Sequence, residues 1–357
     1  MGLNKLSHFL DALTKFKYNG VVLNNSSCSD NWDSGSVTFC NVFVDDENPK
    51  DIFLYYTGIN INSIHRSSIG LAISSDGLNF RKIKENPILE GTPGTFFSRR
   101  VSTPAVTKIG SKYYMVFSGQ SNFLFPRYTM SLGIAWADDP VGPWKVIGEL
   151  IKPEEKWEGR GIDNGPAIVH LNNDSFLIFY SNCSLKYSEL FLQFIRNPTY
   201  SFSPQYLYRY IKRKVGILKV RIRGTDDVEA YRYKGNPLIH LNGPIGSWNE
   251  SIFCPGYAKF GSFHYLFPAT STYSRGYPFP QYIATIVARS PFFEANSVIQ
   301  TIKTIDGSDL KGSLQASIGV ALDTPNLIIR NNKLLLYYSV MARDYNRWKI
   351  ALSSADI

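Results

Sequence analysis

One pattern recurs five times along this chain, and it constrains the fold more than any other feature. A short apolar run follows a proline or an asparagine, a polar turn comes next, and a second run rich in aromatic residues follows. The stretch WEGRGIDNGPAIVHLNNDSFLIFYS, from Trp157 to Ser181, is an example. Two β-prone runs joined by Asn and Asp predict a hairpin, and repetition of one unit indicates an architecture of stacked units. The copies centre on Asn41, Pro104, Pro166, Pro255 and Pro325.

Most copies continue into two further strands. SIGLAISSDGLNFRKI and NPILE follow the first copy, and SLGIAWADDPVGPWKVI and GELI follow the second. The Ser-Asp-Gly and Asp-Asp-Pro elements form turns, because Gly tolerates positive φ and Pro fixes φ. The copies are 63, 62, 89 and 70 residues apart, and four antiparallel strands in a unit of roughly 60 residues form a propeller blade. The sequence therefore predicts an all-β fold, a five-bladed β-propeller with four antiparallel strands per blade.

The two ends of the chain complement each other in this scheme. The fifth copy ends at WKIALSSADI without a fourth strand, and the N-terminal segment FKYNGVVLN resembles the fourth-strand segment KENPILE. We therefore predict that residues 16–23 supply the strand that closes the ring, which leaves no long exposed strand edge. Leucines at helical spacing predict an N-terminal helix over residues 1–15. We expect residues 1–357 to form a single propeller domain.

The longest spacing predicts an insertion in blade 3, at residues 185–214. It is rich in Tyr, Phe, Arg and Lys, and either a lid or partner surface or a loop packed on its own blade fits this composition. The net charge of +9 favours an anionic substrate, polymer or membrane surface, and it also fits a soluble protein with a basic surface. A peripheral contact with a membrane or polymer through residues 185–223 stays open. No recognised DNA- or RNA-binding motif surrounds this run, so we expect no nucleic acid partner.

Other sequence signals narrow the classes of function. The four cysteines have no CxxC spacing, and the five histidines have no ligand spacing. There is no Walker loop and no GxGxxG motif before a helix. We predict no cofactor, although a single structural Ca²⁺ in a central channel would leave no trace in the sequence. The N-terminus is too polar for a signal-peptide core, and no run is long enough to span a bilayer; a cytoplasmic protein is the simplest interpretation.

Propeller geometry indicates where chemistry would occur. Loops that enter the first strand of each blade and loops that leave the second converge on one central funnel. These loops carry several carboxylates and arginines, with tryptophans close by in three blades. Glycosidic-bond chemistry needs one acid that protonates the leaving oxygen and a second carboxylate that activates water or attacks the sugar.

The candidate catalytic residues are Asp163, Asp33 and Glu250, in that order of preference, and Asp163 comes first because it directly precedes the first strand of blade 3. The candidate substrate-binding residues are Arg100, Glu158, Arg160, Asp323, Arg343, Trp32 and Gln120. Arginine can fork onto a carboxylate or phosphate of an anionic substrate. Each type also has a structural alternative, since loop acids cap turns, tryptophans wedge between blades, and arginines pair with acids.

The phrases SIGLAISSDGLNFRKIKENPIL, GSKYYMVFSG and IAWADDPVGPWK resemble the five-bladed β-propeller glycoside hydrolases of families 43, 32, 68 and 130. This superfamily includes arabinanases, invertases and mannoside phosphorylases, and the resemblance covers nearly the whole chain. It implies a base or nucleophile carboxylate in blade 1, a pKa-modulating Asp in blade 2 and an acid Glu in blade 3. The chain departs from that triad, with Cys40-Asn41 in blade 1, Ser102-Thr103-Pro104 in blade 2, and Asp163-Asn164-Gly165-Pro166 in blade 3. Asp33 and Asp163 are the nearest substitutes by position.

The resulting hypothesis is a glycoside hydrolase-like enzyme, a glycosidase acting on a glycan or glycoconjugate, with funnel carboxylates as general acid and base. Two alternatives stay open. One is a glycosyl or phosphosugar transferase or a phosphorylase of glycan metabolism. The other is a non-catalytic carbohydrate-binding propeller, because the fold alone does not fix function.

Overall fold

The computed structural model describes residues 3–63, 66–122, 129–183, 195, 212–272, 281–315, 320–342 and 347–357. Within these residues the chain forms one α-helix and twenty β-strands. Most of the predicted insertion at 185–214 lies outside the described residues. The candidate residue Arg343 also lies outside them. Among the described residues, no helix has the length and apolar character needed to cross a membrane.

The strands form antiparallel groups that follow the chain. The helix is α1 (Leu3–Ala12), and the strand after it is β1 (Lys17–Leu23). The first group contains β2 (Ser36–Asp45), β3 (Asn48–Ile59), β4 (Ser67–Ser74) and β5 (Arg81–Lys82). The second contains β6 (Arg100–Ile109), β7 (Lys112–Asn122), β8 (Thr129–Ala137) and β9 (Lys145–Ile151). One parallel bridge, Ser67 to Arg100, links these two groups into a single sheet.

The remaining strands form three separate four-stranded sheets. The third group contains β10 (Ile162–Asn172), β11 (Ser175–Asn182), β12 (Val215–Ile222) and β13 (Val228–Arg232). The fourth contains β14 (Ser251–Phe260), β15 (Phe263–Ser271), β16 (Gln281–Ala288) and β17 (Val298–Asp306). The fifth contains β18 (Val320–Arg330), β19 (Lys333–Ala342), β20 (Lys349–Asp356) and, at its outer edge, β1. The prediction of an all-β fold built from four-stranded antiparallel sheets is confirmed.

The hydrophobic core lies between sheets rather than beneath one of them. Middle strands such as β11, SFLIFYSN, are buried along their whole length, as expected for strands covered on both faces. The large hydrophobic clusters each join two consecutive groups. A further cluster joins the last group to the first, with Leu335 and Tyr337 of β19 packed among Leu54 and Tyr56 of β3. Burial of these side chains is the main favourable term that holds the sheets together.

Helix α1 packs against the fourth and fifth groups. The Phe9 ring is fully buried, stacks on Phe260 with ring centroids 4.1 Å apart and contacts Tyr265 at 4.9 Å. Aromatic burial of this kind fixes the N-terminal segment beside the sheet in which β1 is the outer strand.

Candidate active site

The first strand of every group carries a β-bulge at the same level. Four of the bulges contain a non-glycine residue with positive φ: Phe39 at 50°, Thr103 at 50°, Cys254 at 44° and Thr324 at 45°. In β10 the bulge holds Asn164 and one additional residue. Non-glycine residues in this backbone region are uncommon, and they cluster at functional sites. The bulges therefore mark the level of the fold at which to look for chemistry.

The bulge register also corrects the repeat alignment. In the first copy Cys40, not Asn41, occupies the position of the prolines, and Asn41 corresponds to Asn326. The hydrogen bonds agree, because Asn41 Oδ1 accepts the Val106 N–H at 3.0 Å and Asn326 Oδ1 accepts the Val42 N–H at 3.1 Å. Each asparagine thus connects its own first strand to the next one.

Side-chain hydroxyl groups of one group of strands accept hydrogen bonds from the bulge N–H groups of the next group. The N–H of Phe39 donates to Ser339 Oγ (2.8 Å), that of Thr103 to Thr57 Oγ1 (3.0 Å), that of Asn164 to Ser118 Oγ (3.3 Å) and that of Cys254 to Ser181 Oγ (3.1 Å). The fifth position differs, because the residue there is Ala269, which has no hydroxyl. The Thr324 N–H donates instead to Oδ1 of Asp323, at 2.8 Å.

Two carboxylates occupy equivalent positions immediately before the bulges. Asp163 in β10 pairs with Ser181, and Asp323 in β18 pairs with Ser339. Both are buried, with 5% and 8% of the residue exposed. The equivalent residues in the other first strands are Thr38, Ser102 and Phe253. Among the five first strands described, only β10 and β18 carry an acid at this position.

Cys254 lies near both carboxylates, and Arg213 contacts one of them. β14 contacts both β10 and β18, and the buried thiol of Cys254 lies near enough to Asp163 and Asp323 for both carboxylates to act on it electrostatically. Arg213 donates a hydrogen bond to Asp163 Oδ1, and its Nη2 is 3.6 Å from Cys254 Sγ. The four side chains form one cluster, in which the two aspartates and Cys254 are buried and Arg213 is partly exposed.

Arg213 reaches this cluster from just before β12 rather than from a first strand. Its Nε donates to Asn182 O at 2.9 Å, and its backbone N–H donates to Ser251 Oγ at 2.9 Å. The guanidinium carbon lies 4.8 Å from the centroid of the Phe253 ring. These contacts fix the plane of the guanidinium, so its charge is held at one side of the carboxylate pair.

The environment shifts the pKa of each group in this cluster. Burial raises the pKa of Asp323 to about 6; Arg213 opposes this rise, and the charge of Asp163 adds to it. Burial also raises the pKa of Asp163, against the effect of the Arg213 guanidinium in contact with it. Burial and both aspartates raise the pKa of the Cys254 thiol well above its ordinary value. Cys254 is therefore a neutral thiol at neutral pH, whereas Asp323 can carry a proton close to that pH.

Two solved structures superpose on this chain along most of its length. It superposes on a glycosyl hydrolase from Bacteroides ovatus with a TM-score of 0.65 and 13% identity, over 96% of this chain and 94% of that one. It superposes on a thermostable family-43 glycoside hydrolase with a TM-score of 0.58 and 12% identity, over 89% and 88% of the two chains. This chain has the fold of the propeller-type glycoside hydrolases.

Similarity in sequence covers a much shorter part of the chain than similarity in fold. No protein-family profile matches the chain. Over 80 residues it is 36% identical to Beta-1,2-mannobiose phosphorylase from Thermoanaerobacter sp. (strain X514). That stretch is 22% of this chain and 24% of the phosphorylase, so the match spans about a quarter of the relative's length.

Asp33 and Glu158, both predicted from the sequence, have matching environments within their own groups. Asp33 accepts hydrogen bonds from Tyr56 at 3.2 Å and Lys82 at 2.5 Å. Glu158 accepts hydrogen bonds from Tyr180 at 2.7 Å and from Nε of Arg232 at 2.8 Å. Both acids thus join a tyrosine of the second strand to a cation of the same group, and neither contact involves the cluster of Asp163 and Asp323.

Tryptophans precede these two acids and pack in the same way. The Trp32 ring lies 5.6 Å from the Tyr56 ring, and the Trp157 ring lies 5.3 Å from the Tyr180 ring. A side chain at Gly70 would collide with the Trp32 ring at 2.7 Å. The predicted substrate-binding residue Trp32 is therefore packed onto its own sheet.

The other predicted residues are distributed around the first strands. Glu250 is buried, accepts the Gly246 N–H at 2.9 Å and lies 3.6 Å from Lys212 Nζ. Arg100 and Gln120 pair in register on β6 and β7, and Arg160 is half-buried just before β10. The structure thus brings together Asp163 and Asp323 from the predicted set, and adds two residues that sequence reasoning missed. Cys254 had a signal, because it directly precedes a repeat proline; Arg213, at the end of the predicted insertion, had none.

Proposed function

We propose that this chain is a carbohydrate-active enzyme that cleaves a glycosidic bond, with Asp163 and Asp323 as its pair of catalytic carboxylates. The observation that carries the proposal is the pair itself. Two buried acids at equivalent positions of the ring share one thiol neighbour, and among the described residues only Asp163 accepts a hydrogen bond from an arginine. Titratable groups whose environments push their pKa values apart are typical of general acid–base pairs.

We further propose that the five groups of strands are five blades of one propeller domain, with β1 as the strand that closes the ring. Pairing of β1 with β20 supports the closure. The cluster shared by the first and last groups supports a ring. In such a ring the equivalent positions before the bulges face a common axis, and a sugar can approach both carboxylates from one mouth of the funnel.

The chemistry follows from the states of the two acids. Asp323 donates its proton to the glycosidic oxygen as the bond from that oxygen to the anomeric carbon breaks. Asp163, as a carboxylate, either removes a proton from an attacking water or attacks the anomeric carbon itself. In the second case water later hydrolyses the glycosyl–enzyme ester, and the Asp323 carboxylate accepts the proton of that water.

Phosphorolysis is the second candidate reaction, favoured by the local similarity to Beta-1,2-mannobiose phosphorylase. In this reaction inorganic phosphate replaces water as the nucleophile, so one acid suffices. Arg100 and Arg160, which flank the starts of β6 and β10, are candidates for binding the phosphate, because guanidinium groups bind phosphate in a bidentate manner.

The test is a turnover screen against aryl glycosides, manno-oligosaccharides and nucleotide-linked sugars, with and without phosphate. It compares the wild type with Asp163→Asn and Asp323→Asn, and with Asp33→Asn, which removes the second sequence-based candidate. Asp309→Asn removes an exposed carboxylate and controls for the loss of one charge.

We expect both substitutions in the central pair to reduce turnover by at least about 100-fold while the thermal shift caused by the sugar is retained. A requirement for phosphate would identify a phosphorylase. Full activity of Asp163→Asn and Asp323→Asn would refute the catalytic pair. Stabilisation by a sugar with no turnover in any protein would instead indicate a carbohydrate-binding propeller.

A further inference from the structure

Asp163 and Asp323 would be interchangeable if the repeat alone determined their surroundings. Each directly precedes a bulge, each pairs across to a serine of the second strand, and each lies near the thiol of Cys254. An acid–base pair, however, needs two groups in different states at the same pH. Some feature outside the repeat must make the two aspartates unequal.

Arg213 is that feature, because it belongs to no first strand and contacts only one member of the pair through a hydrogen bond. It donates to Asp163, and its orientation is fixed by Asn182 O and by the Phe253 ring. It acts on Asp323 through space, without a hydrogen bond between them. Asp323 accepts a neutral donor instead, the Thr324 N–H.

We propose that Arg213 is a positioning residue that keeps Asp163 ionised and leaves Asp323 as the member of the pair that carries the proton. The assignment rests on the proposed function, because it names which carboxylate is the acid. Arg213 acts on the reaction through Asp163, to which it donates a hydrogen bond. It acts by holding a positive charge and a fixed donor against Asp163.

In the part of the chain that the structure describes, three thiols also lie near the two aspartates or Arg213. Cys254 lies near both aspartates, Cys40 faces Asp323 from β2, and Cys183 lies beside Arg213. Burial raises the pKa of Cys40 to about 12 and that of Cys254 well above its usual range. These two thiols therefore stay neutral at the pH values at which the aspartates titrate.

The geometry also explains why an arginine is used. A guanidinium presents several donors in one plane, so Arg213 can bond Asp163 and Asn182 O at the same time. An ammonium group at this position would retain the charge but lose the coplanar arrangement of N–H donors. Arg213→Lys is therefore the conservative variant, and Arg213→Met removes the charge while keeping an unbranched apolar side chain.

The test is a direct titration of the two carboxyl groups by NMR on protein labelled with ¹³C at aspartate Cγ, without any substrate. Asp163→Asn and Asp323→Asn assign the two signals. In the wild type we expect Asp323 to titrate about pH 6 and Asp163 at lower pH. In Arg213→Met we expect the Asp163 titration to move up by about one to three pH units, and in Arg213→Lys by less.

An Asp163 signal that titrates at the same pH in wild type, Arg213→Lys and Arg213→Met would overturn the proposal. If Arg213→Met fails to fold, Arg213→Lys still tests the proposal, because the Asp163 titration must then move to higher pH, although by a smaller amount. The outcome is separable from that of the proposed function. Shifted titrations without turnover of any sugar would leave the role of Arg213 intact and refute the enzyme, whereas turnover with unshifted titrations would do the reverse.

Discussion

Replacing Asp323 with asparagine should flatten part of the pH dependence of stability. In the folded chain the pKa of Asp323 is raised from 3.8 to about 6, mainly by burial. A carboxyl group with a raised pKa binds its proton more tightly in the folded than in the unfolded protein. Its contribution to stability is therefore complete below about pH 4 and is lost as the pH rises through about 6.

The size of the effect follows from the same shift. One pKa unit corresponds to about 1.4 kcal/mol, so a rise from 3.8 to about 6 costs the folded wild type about 3 kcal/mol above that pH. Asparagine has nearly the same shape and keeps an oxygen that can accept the Thr324 N–H, but it does not ionise. Asp323→Asn should consequently gain stability relative to the wild type between about pH 4 and pH 7, by up to about 3 kcal/mol.

Urea unfolding at half-unit steps from pH 4 to pH 8 measures this difference directly. Subtracting the two curves cancels every group that titrates alike in both proteins. Asp309→Asn, which removes an exposed carboxylate, provides the control and should run parallel to the wild type. Parallel curves for Asp323→Asn and wild type across the whole range would refute the reasoning, because the buried carboxyl would then have no raised pKa.

Two further substitutions test the packing that supports the site. In Gly256→Ala the added Cβ would lie 1.9 Å from a backbone carbonyl oxygen of β18, so we expect the unfolding free energy to fall by about 1–3 kcal/mol. Gly148→Ala is the control and should be nearly neutral, because nothing lies within 4 Å of its added Cβ. Equal melting temperatures of the two variants would contradict the close approach of β14 to β18. In the same urea assay Glu158→Ala should lower the unfolding free energy by about 3–5 kcal/mol, because it removes a fully buried partner of Arg232. Glu154→Ala removes the exposed partner of the same arginine and should lower it by less than about 1 kcal/mol.

The repeating part of the fold could be read from the sequence because it depends on local signals. Turn formers such as Ser-Asp-Gly in the first group and Asp-Asp-Pro in the second lie between apolar runs, so strand type and hairpins follow from short stretches. The bulge geometry is less local. Asn41 was aligned with the prolines, although its side chain makes the contact that Asn326 makes, and only pairing across the sheet reveals this offset.

The site was predictable only in part, and charge partners are the reason. Asp163 and Asp323 both stood among the candidates, since each directly precedes a repeat element. The acids Asp33 and Glu158 carry the same signal, yet they bind a tyrosine and a cation of their own groups. Arg213 is distant in sequence from Asp163, and no periodic pattern links them, so its role required the folded chain.

The sheet shared by β1 and β20 has a consequence for how the protein is made. Lys17 pairs with Ser354, and Leu23 with Ile350, so the partners are separated by almost the full length of the chain. During synthesis the first strand emerges long before its partner exists, and the sheets in between can form while it waits. Such non-local pairing slows folding. A nascent chain stalled before residue 349 would therefore present the edge of β19 and an unpaired β1, both open to aggregation.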